Sequence, residues 1–279
     1  MEDAQTTAAV YLCGGCGCEL LVGLWAWDLR NVVLRCASCG TLNTNEAAIA
    51  PGTETERPAR ITLAGVVLEF DDRWVTDNIR QRIYEGRYES GERLILEHTL
   101  VPGDRYLELG AGIGFITTCA CRLIGADKVF AYEANPELAA FAADTARRNG
   151  FTPTVINAVL ADAEGEIDFY VHEDFWSSTL LASQGGTPVR VPTRSFHDEL
   201  ARLQATYLMI DIEGGEVDLL DGERLPDCVR AVCLETHPAV VGAAAAQRTL
   251  NQLIEDGFML DLAESGDGVA FLSRESSVA

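Results

Sequence analysis

The chain has 279 residues, 48% of them hydrophobic and 23% charged, enough for one full α/β domain with a small appendage and unlike a disordered polymer. Forty-three acidic against 21 basic residues leave a formal charge of −22, so nucleic-acid phosphates and anionic membrane surfaces are expected to repel it. Lys128 is the sole lysine, and no run of arginines builds a basic patch. The N-terminal MEDAQTTAAVYLCGG has no basic n-region or long apolar core, and no segment reaches the ~18 apolar residues of a membrane span. The expectation is a cytoplasmic protein with reduced thiols and with neither nucleic-acid nor membrane partners.

Five of the nine cysteines fall between positions 13 and 39. Cys13-Gly-Gly-Cys16-Gly and Cys36-Ala-Ser-Cys39-Gly, with nineteen residues between Cys16 and Cys36, have the spacing of a four-cysteine zinc ribbon. Each CxxC turn brings two thiolates together, and the following glycine (Gly17, Gly40) permits the positive φ of a tight knuckle. Cys13, Cys16, Cys36 and Cys39 are the expected metal ligands, with zinc as the structural ion and iron as the alternative for a tetrahedral S₄ site. Cys18 could stand in for Cys16 but lacks the knuckle glycine. Cys119, Cys121, Cys228 and Cys233 read as small buried hydrophobes. The module is placed at residues 10–42, with a short hairpin over Leu20 to Leu34 covered by Trp25 and Trp27. Residues 43–60, rich in Asn, Thr, Pro and Gly, read as a linker.

From 61 to 279 the pattern is alternating strand and helix. Ile61–Phe70 is a strand pair around Gly65, and Asp77–Tyr88 and Gly91–Leu100 have helical spacing. Then follow strand Arg105–Leu109, helix Ile113–Ile124, strand Lys128–Tyr132, helix Pro136–Asn149 and strands Thr154–Asn157 and Glu166–Val171. Strand Tyr207–Ile212, a helix from Val217, strand Ala231–Glu235, helix Ala243–Asp256 and a closing pair at Phe258–Leu262 and Val269–Leu272 complete the series. Short apolar strands alternating with helices imply an α/β, Rossmann-like doubly wound sheet, whose ligands bind beyond the strands' carboxyl ends.

The first strand–helix junction reads Glu108-Leu109-Gly110-Ala111-Gly112-Ile113-Gly114-Phe115. Its glycines allow a tight turn and close approach of a ligand to backbone N–H groups. A dinucleotide fingerprint would need glycine where Phe115 stands, and a pyrophosphate would not tolerate the acid at 108. A ligand bearing an ammonium and a sulfonium would. Glu133, nineteen residues beyond Gly114, ends the next strand where an acid accepts hydrogen bonds from ribose hydroxyls. Together these residues argue for S-adenosylmethionine.

From Tyr88 to Pro238 the chain resembles the FkbM family of S-adenosylmethionine-dependent methyltransferases. Gly86-Arg87-Tyr88-Glu89, the Glu108–Gly114 loop, Tyr132-Glu133-Ala134-Asn135-Pro136, Asn157-Ala158, Ser177-Ser178, Asp211-Ile212-Glu213-Gly214-Gly215-Glu216 and Glu235-Thr236-His237-Pro238 carry the resemblance. Glu108 and Ala111-Gly112 stand where many members show Asp and Ala-Asn, and the cysteine module lies outside the usual family domain. The resemblance implies a cofactor site of Tyr88, Glu89, Glu108, Gly110, Ala111, Gly112, Gly114, Glu133, Ala134, Asn157, Ala158 and Asp211. It also implies methyl transfer, most often to a hydroxyl of a metabolite or sugar. Asp211 and Glu213 end one strand, Glu235 and His237 the next, on the side of the expected crevice. The reaction centre is therefore placed at Asp211 and Glu213, with His237 as the base. Glu216 suits the dipole of the helix it opens. His172, near the Trp176-Ser177-Ser178 loop, is a substrate-side candidate, while His98 and His197 read as ordinary surface residues.

The leading function is O-methylation of a small molecule. The alternatives are a carrier-bound, glycan or protein acceptor docked by the ribbon, and a binding protein whose methyltransferase fold has lost activity.

Overall fold

A computed structural model describes residues 9–13, 15–24, 33–44, 60–172, 186–266 and 268–274. The chain forms two compact units, Met1–Ile61 and Thr62–Ala279. In the first, each cysteine knuckle is the turn of its own hairpin. β1 (Ala9–Leu12) pairs antiparallel with β2 (Glu19–Leu24) around Cys13–Cys18, and β3 (Val33–Arg35) pairs with β4 (Leu42–Thr44) around Cys36–Cys39. Of the hairpin expected over 20–34, residues 25–32 lie outside the described residues, and its described ends pair with β1 and with β4 in the two knuckle hairpins. Trp25 and Trp27 lie outside the described residues, as do 45–59 of the expected linker.

Strand β5 (Arg60–Leu63), in which the boundary between the units falls, is joined to β6 (Val66–Glu69) at Ala64–Gly65, both at positive φ. Helix α1 (Asp77–Tyr84) ends four residues short of the expected Tyr88, because Gly86 takes φ +70 and Arg87 N–H returns to the Arg82 carbonyl, a glycine-terminated C-cap. Tyr88 and Glu89 therefore lie in the turn before α2 (Ser90–Thr99), with Glu89 at its N-cap position.

Every residue of β7 (Tyr106–Leu109) and of β13 (Tyr207–Ile210) is buried, as befits the middle of a sheet covered on both faces. Between them the chain runs α3 (Phe115–Ile124), β8 (Val129–Glu133), α4 (Pro136–Arg148) and β9 (Thr154–Asn157). Then come β10 (Val159–Ala161), β11 (Gly165–Val171), β12 (Thr187–Ser195) and α5 (Phe196–Leu203). After β13 follow α6 (Glu216–Leu220), β14 (Ala231–Glu235), α7 (Pro238–Val241), α8 (Ala243–Glu255), β15 (Met259–Leu260) and β16 (Val269–Ser273). The main sheet has the order β15-β16-β14-β13-β7-β8-β9. Its strands β14, β13, β7, β8 and β9 are mutually parallel, and β16 runs against β14. The strand order reverses between β7 and β13, which opens a crevice above their carboxyl ends.

In a second sheet, β10-β12-β11, the expected strand Glu166–Val171 is β11, whereas β10, β12 and helix α5 have no counterpart in the expected elements. Of the scattered cysteines, Cys119, Cys121 and Cys233 are buried as expected, whereas Cys228 is exposed. Among the described residues no helix is long and apolar enough to cross a membrane.

Candidate functional site

A cleft of about 990 Å³ opens at the strand-order reversal, large enough for a nucleoside-sized ligand with an acceptor beside it. Of the expected site residues, Tyr88, Glu89, Gly110, Gly112, Glu133, Ala134, Ala158, Asp211, Glu213 and His237 line it. Glu108, Ala111, Gly114 and Asn157 do not. They hold the walls instead.

Glu108 is buried beneath the glycine loop and accepts the Thr117 hydroxyl proton at 2.7 Å; desolvation, partly offset by that bond, pushes its carboxyl up to about 8. Gly114 caps α3 at φ +80, and a Cβ there would stand 2.7 Å from the Ala142 backbone, so the glycine permits close packing of α3 on α4. Asn157 donates to the Glu133 and Ala134 carbonyls at 2.9 and 2.8 Å, pinning the end of β8. Asn135 then caps α4 through Glu137 N–H at 3.0 Å, with Pro136 in the first helical position.

Glu133 accepts Gly112 N–H and Asn135 N–H, both at 2.9 Å, one on each oxygen. It clamps the loop while keeping unused lone pairs toward the cleft. Desolvation raises its carboxyl to about 7 against these backbone bonds.

On the other side of the crevice the carboxylates crowd. His237 Nδ1 lies 3.2 Å from Glu216 Oε1, and Nε2 lies 3.4 Å from Asp211 Oδ1, 3.4 Å from Glu213 Oε2 and 3.9 Å from Glu235 Oε1. Glu216 is only 2% exposed and also accepts His237 N–H at 3.2 Å and Gly214 N–H at 2.7 Å. Its role is thus to hold the β14 end against the β13 end, a part that helix-dipole reasoning missed. Burial followed by the Glu213 charge pushes the Asp211 carboxyl well above its ordinary range. Desolvation likewise raises Glu235, to about 9, with help from Asp211 and Glu92. For Glu216 desolvation is outweighed by the bonds it accepts, and its carboxyl is lowered. For His237 desolvation is outweighed by the surrounding carboxylates, which raise it.

Two non-glycine residues facing the cleft, Glu89 (φ +44) and Glu213 (φ +49), sit in the left-handed region. Such strain persists where surrounding structure fixes a side chain for use. Glu92, on the buried face of α2, is a cleft carboxylate that sequence reasoning passed over. Its helical position among apolar neighbours Ile95 and Leu96 was the available signal. His172 is described but is not among the cleft residues; Trp176, Ser177 and Ser178 lie outside the described residues. His98 and His197 are exposed, beside Glu264 and Asp198.

In the first unit the four expected ligand sulfurs converge. Cys13 and Cys39 Sγ are 3.5 Å apart, and Cys16 and Cys36 Sγ 3.7 Å, close to the ~3.8 Å edge of a tetrahedron with 2.3 Å metal–sulfur bonds. The knuckles match bond for bond. Cys13 N–H reaches the Cys18 carbonyl and Cys36 N–H the Thr41 carbonyl, both at 2.8 Å, while Gly17 and Gly40 return to the first cysteine of each pair at φ +74 and +76. Backbone N–H of Cys39, then the Cys18 thiol, lower the Cys36 thiol to about 6. Cys18 is not remote: its Sγ lies 3.2 Å from Cys36 and 3.4 Å from Cys16.

No curated protein matches the chain. Solved structures similar to it include a precorrin-6y C5,15-methyltransferase from Geobacter metallireducens (14% identity, 67% of this chain and 86% of that one, TM-score 0.40). An O-methyltransferase from Streptomyces achromogenes involved in tomaymycin synthesis is 11% identical over 67% of this chain and 79% of its own, with TM-score 0.41. An O-methyltransferase from Bacillus cereus is 12% identical over 65% and 80%, with TM-score 0.39. Residues 108–241, from the buried acid before the glycine loop to the helix after His237, match the family model described as the methyltransferase FkbM domain.

Proposed function

We propose that the protein is an S-adenosylmethionine-dependent O-methyltransferase acting on a hydroxyl of a small metabolite or sugar, with a structural zinc ion in its cysteine module. The carrying observation is the charge of the cleft, which eight carboxylates line against two arginines and one histidine. Such a wall favours a ligand with an ammonium and a sulfonium, and it disfavours a pyrophosphate. The Tyr88 hydroxyl, on a side chain only 5% exposed, makes no hydrogen bond of ordinary geometry although it stands beside Glu89. It supports a polar ligand in the cleft.

When bound, S-adenosylmethionine supplies an electrophilic methyl group. The chain's residues do the rest. Glu133 and the Gly110–Gly112 backbone hold the nucleoside, and Tyr88 and Glu89 the amino-acid end. Asp211, Glu213 and His237 stand where the acceptor hydroxyl must be oriented and its proton removed, with Nε2 of His237 as the nearest nitrogen base. Calorimetric titration is expected to show binding of S-adenosylmethionine and of its demethylated product. Absence of both at millimolar concentration would sink this reading.

The pH dependence has a definite sign. Glu133 is raised to about 7, and it accepts two ribose hydroxyls best when ionised. Affinity for the demethylated product is therefore expected to increase as pH rises from 6 to 8, and a Glu133→Gln variant should bind weakly with a flat profile. The same raised value means that the ligand-free fold binds more protons than the unfolded chain between about pH 4.5 and 7, so its stability falls as pH rises through that window. Titrations at three pH values, paired with melting curves, check both signs.

A further inference from the structure

The arrangement around His237 is unlike an ordinary ion pair. Its Nδ1 faces Glu216, which is buried, strictly positioned by two backbone N–H groups and thus a fixed acceptor for the Nδ1 proton. That bond leaves Nε2 to face Asp211 Oδ1 and Glu213 Oε2 at an equal 3.4 Å. Charge-assisted N–H···O bonds close to ~2.7–2.9 Å, and one N–H cannot serve two oxygens well. Three donors sharing one ion at ~2.1 Å, by contrast, stand ~3.0–3.5 Å apart. The relevant atoms of Asp211, Glu213 and His237 all lie within 4.8 Å of one another.

A separate observation concerns Asp211 Oδ1 itself. This atom is itself shielded from solvent, on a side chain 28% exposed, and its nearest partner, His237 Nε2 at 3.4 Å, makes no hydrogen bond of ordinary geometry with it; an acceptor left so is costly. Asp211, Glu213 and Glu235 have no arginine or lysine partner among the described residues. A carboxylate accepting the far N–H of an imidazole is also the usual support of a metal-ligating histidine.

We propose that Asp211, Glu213 and Nε2 of His237 hold a hard divalent cation of the magnesium–manganese class, with Glu216 as the positioning residue that fixes the imidazole. Two carboxylates with a single imidazole suit such an ion better than a thiophilic one. Three protein ligands leave an octahedral ion with open positions toward the cleft. Two neighbouring oxygens of an acceptor, as in a vicinal diol or a hydroxyl beside a carbonyl, fit adjacent positions. The ion would lower the pKa of the hydroxyl it binds, and the proton released as the oxygen takes the methyl group would pass to the Glu235 carboxylate at the cleft wall, so that His237 is a ligand rather than the base. The acceptor class rests on the methyl-transfer reading; the metal site does not.

Manganese(II) titrated into the full-length, zinc-loaded protein, with the free ion followed by electron paramagnetic resonance, is expected to reveal one site per chain. His237→Gln and Glu213→Gln should weaken it at least tenfold. Glu216→Gln should cost about 10- to 100-fold while S-adenosylhomocysteine binding in the same sample is retained, a pattern that loss of structure would not give. Failure of the native protein to bind manganese at millimolar concentration, or equal binding by all three variants, overturns the site. Titration of S-adenosylhomocysteine in the same samples separates the two readings. Cofactor-product binding without manganese binding removes only the metal, and manganese binding without it removes only the methyl-transfer reading.

Discussion

A Gly110→Ala variant is expected to lose product binding altogether and to melt at least 6 °C below the native protein. Gly110 follows β7 at φ +90, and a Cβ built there falls 1.8 Å from the Asp211 carbonyl oxygen and 2.9 Å from its carbon. No flexible side chain can move aside, because the obstacle is backbone. That backbone is also fixed: Asp211 N–H bonds to the Leu109 carbonyl at 3.0 Å, and Gly110 N–H to the Tyr132 carbonyl at 2.8 Å. The alanine must therefore pry β7 from β13 at their carboxyl ends, where Asp211 enters the cleft. Overpacking and a left-handed alanine together cost about 3 kcal/mol or more, and each kcal/mol lowers the midpoint of a domain this size by roughly 2–4 °C. Gly150→Ala is the control. Its φ is +85, yet a Cβ there meets nothing within 4 Å, so it suffers only the conformational penalty, about 1–2 kcal/mol. A Gly110→Ala protein that melts with the control and still binds would show that the crowding is not real.

The second large effect lies in the cysteine module. Metal analysis is expected to give one zinc per chain, and Cys36→Ser should abolish it. A structural zinc supplies about 10–16 kcal/mol in comparable small modules, more than a unit of this size gains from burial alone. Cys16→Ser should behave differently, since Cys18 Sγ stands 3.4 Å from Cys16 and 3.2 Å from Cys36. A spare thiol so placed can take over the vacated corner, so the Cys16→Ser variant should keep its metal with an affinity reduced by tens rather than thousands, and the Cys16→Ser/Cys18→Ser double variant should lose it. Chelation followed by limited proteolysis should cut within 13–44 and leave the 62–279 unit intact. Equal metal loss in both single variants would assign Cys18 no such role, and a coloured iron centre would replace zinc.

The central sheet was legible because burial on both faces writes continuous apolar runs, which β13 and the first four residues of β14 carry, and which β7 carries but for Glu108. The glycine loop and the knuckles were legible for another reason: their backbone conformations demand glycine at fixed positions. Strand β12 was not. Pro188 and Pro192 argue against a central strand, yet β10 pairs only with Thr193–Ser195, so both prolines lie where β12 has β11 as its one neighbour. Helix α5 had a readable signal in Ser195, whose hydroxyl caps Asp198 N–H at 3.2 Å, followed by buried Phe196, Leu200 and Leu203. The pairing of β2 with β1 and of β3 with β4 shows the limit of local pattern, since alternation does not say which strand a strand pairs with. Glu216 was invisible as the partner of His237, because that contact joins residues 21 apart across two strand ends.

The place of β16 in the sheet constrains how the protein can be made. The chain's last described strand is interior, inserted between β14 and β15, and it covers the whole length of β14 from Ala231 to Glu235. Until residues 269–273 leave the ribosome, β14 presents an unpaired apolar edge, the template on which neighbouring chains add strands. A product truncated after the FkbM match at 241 would hold that edge open permanently. Such a fragment is expected in the insoluble fraction, and residues 269–273 act as the domain's own protection against aggregation.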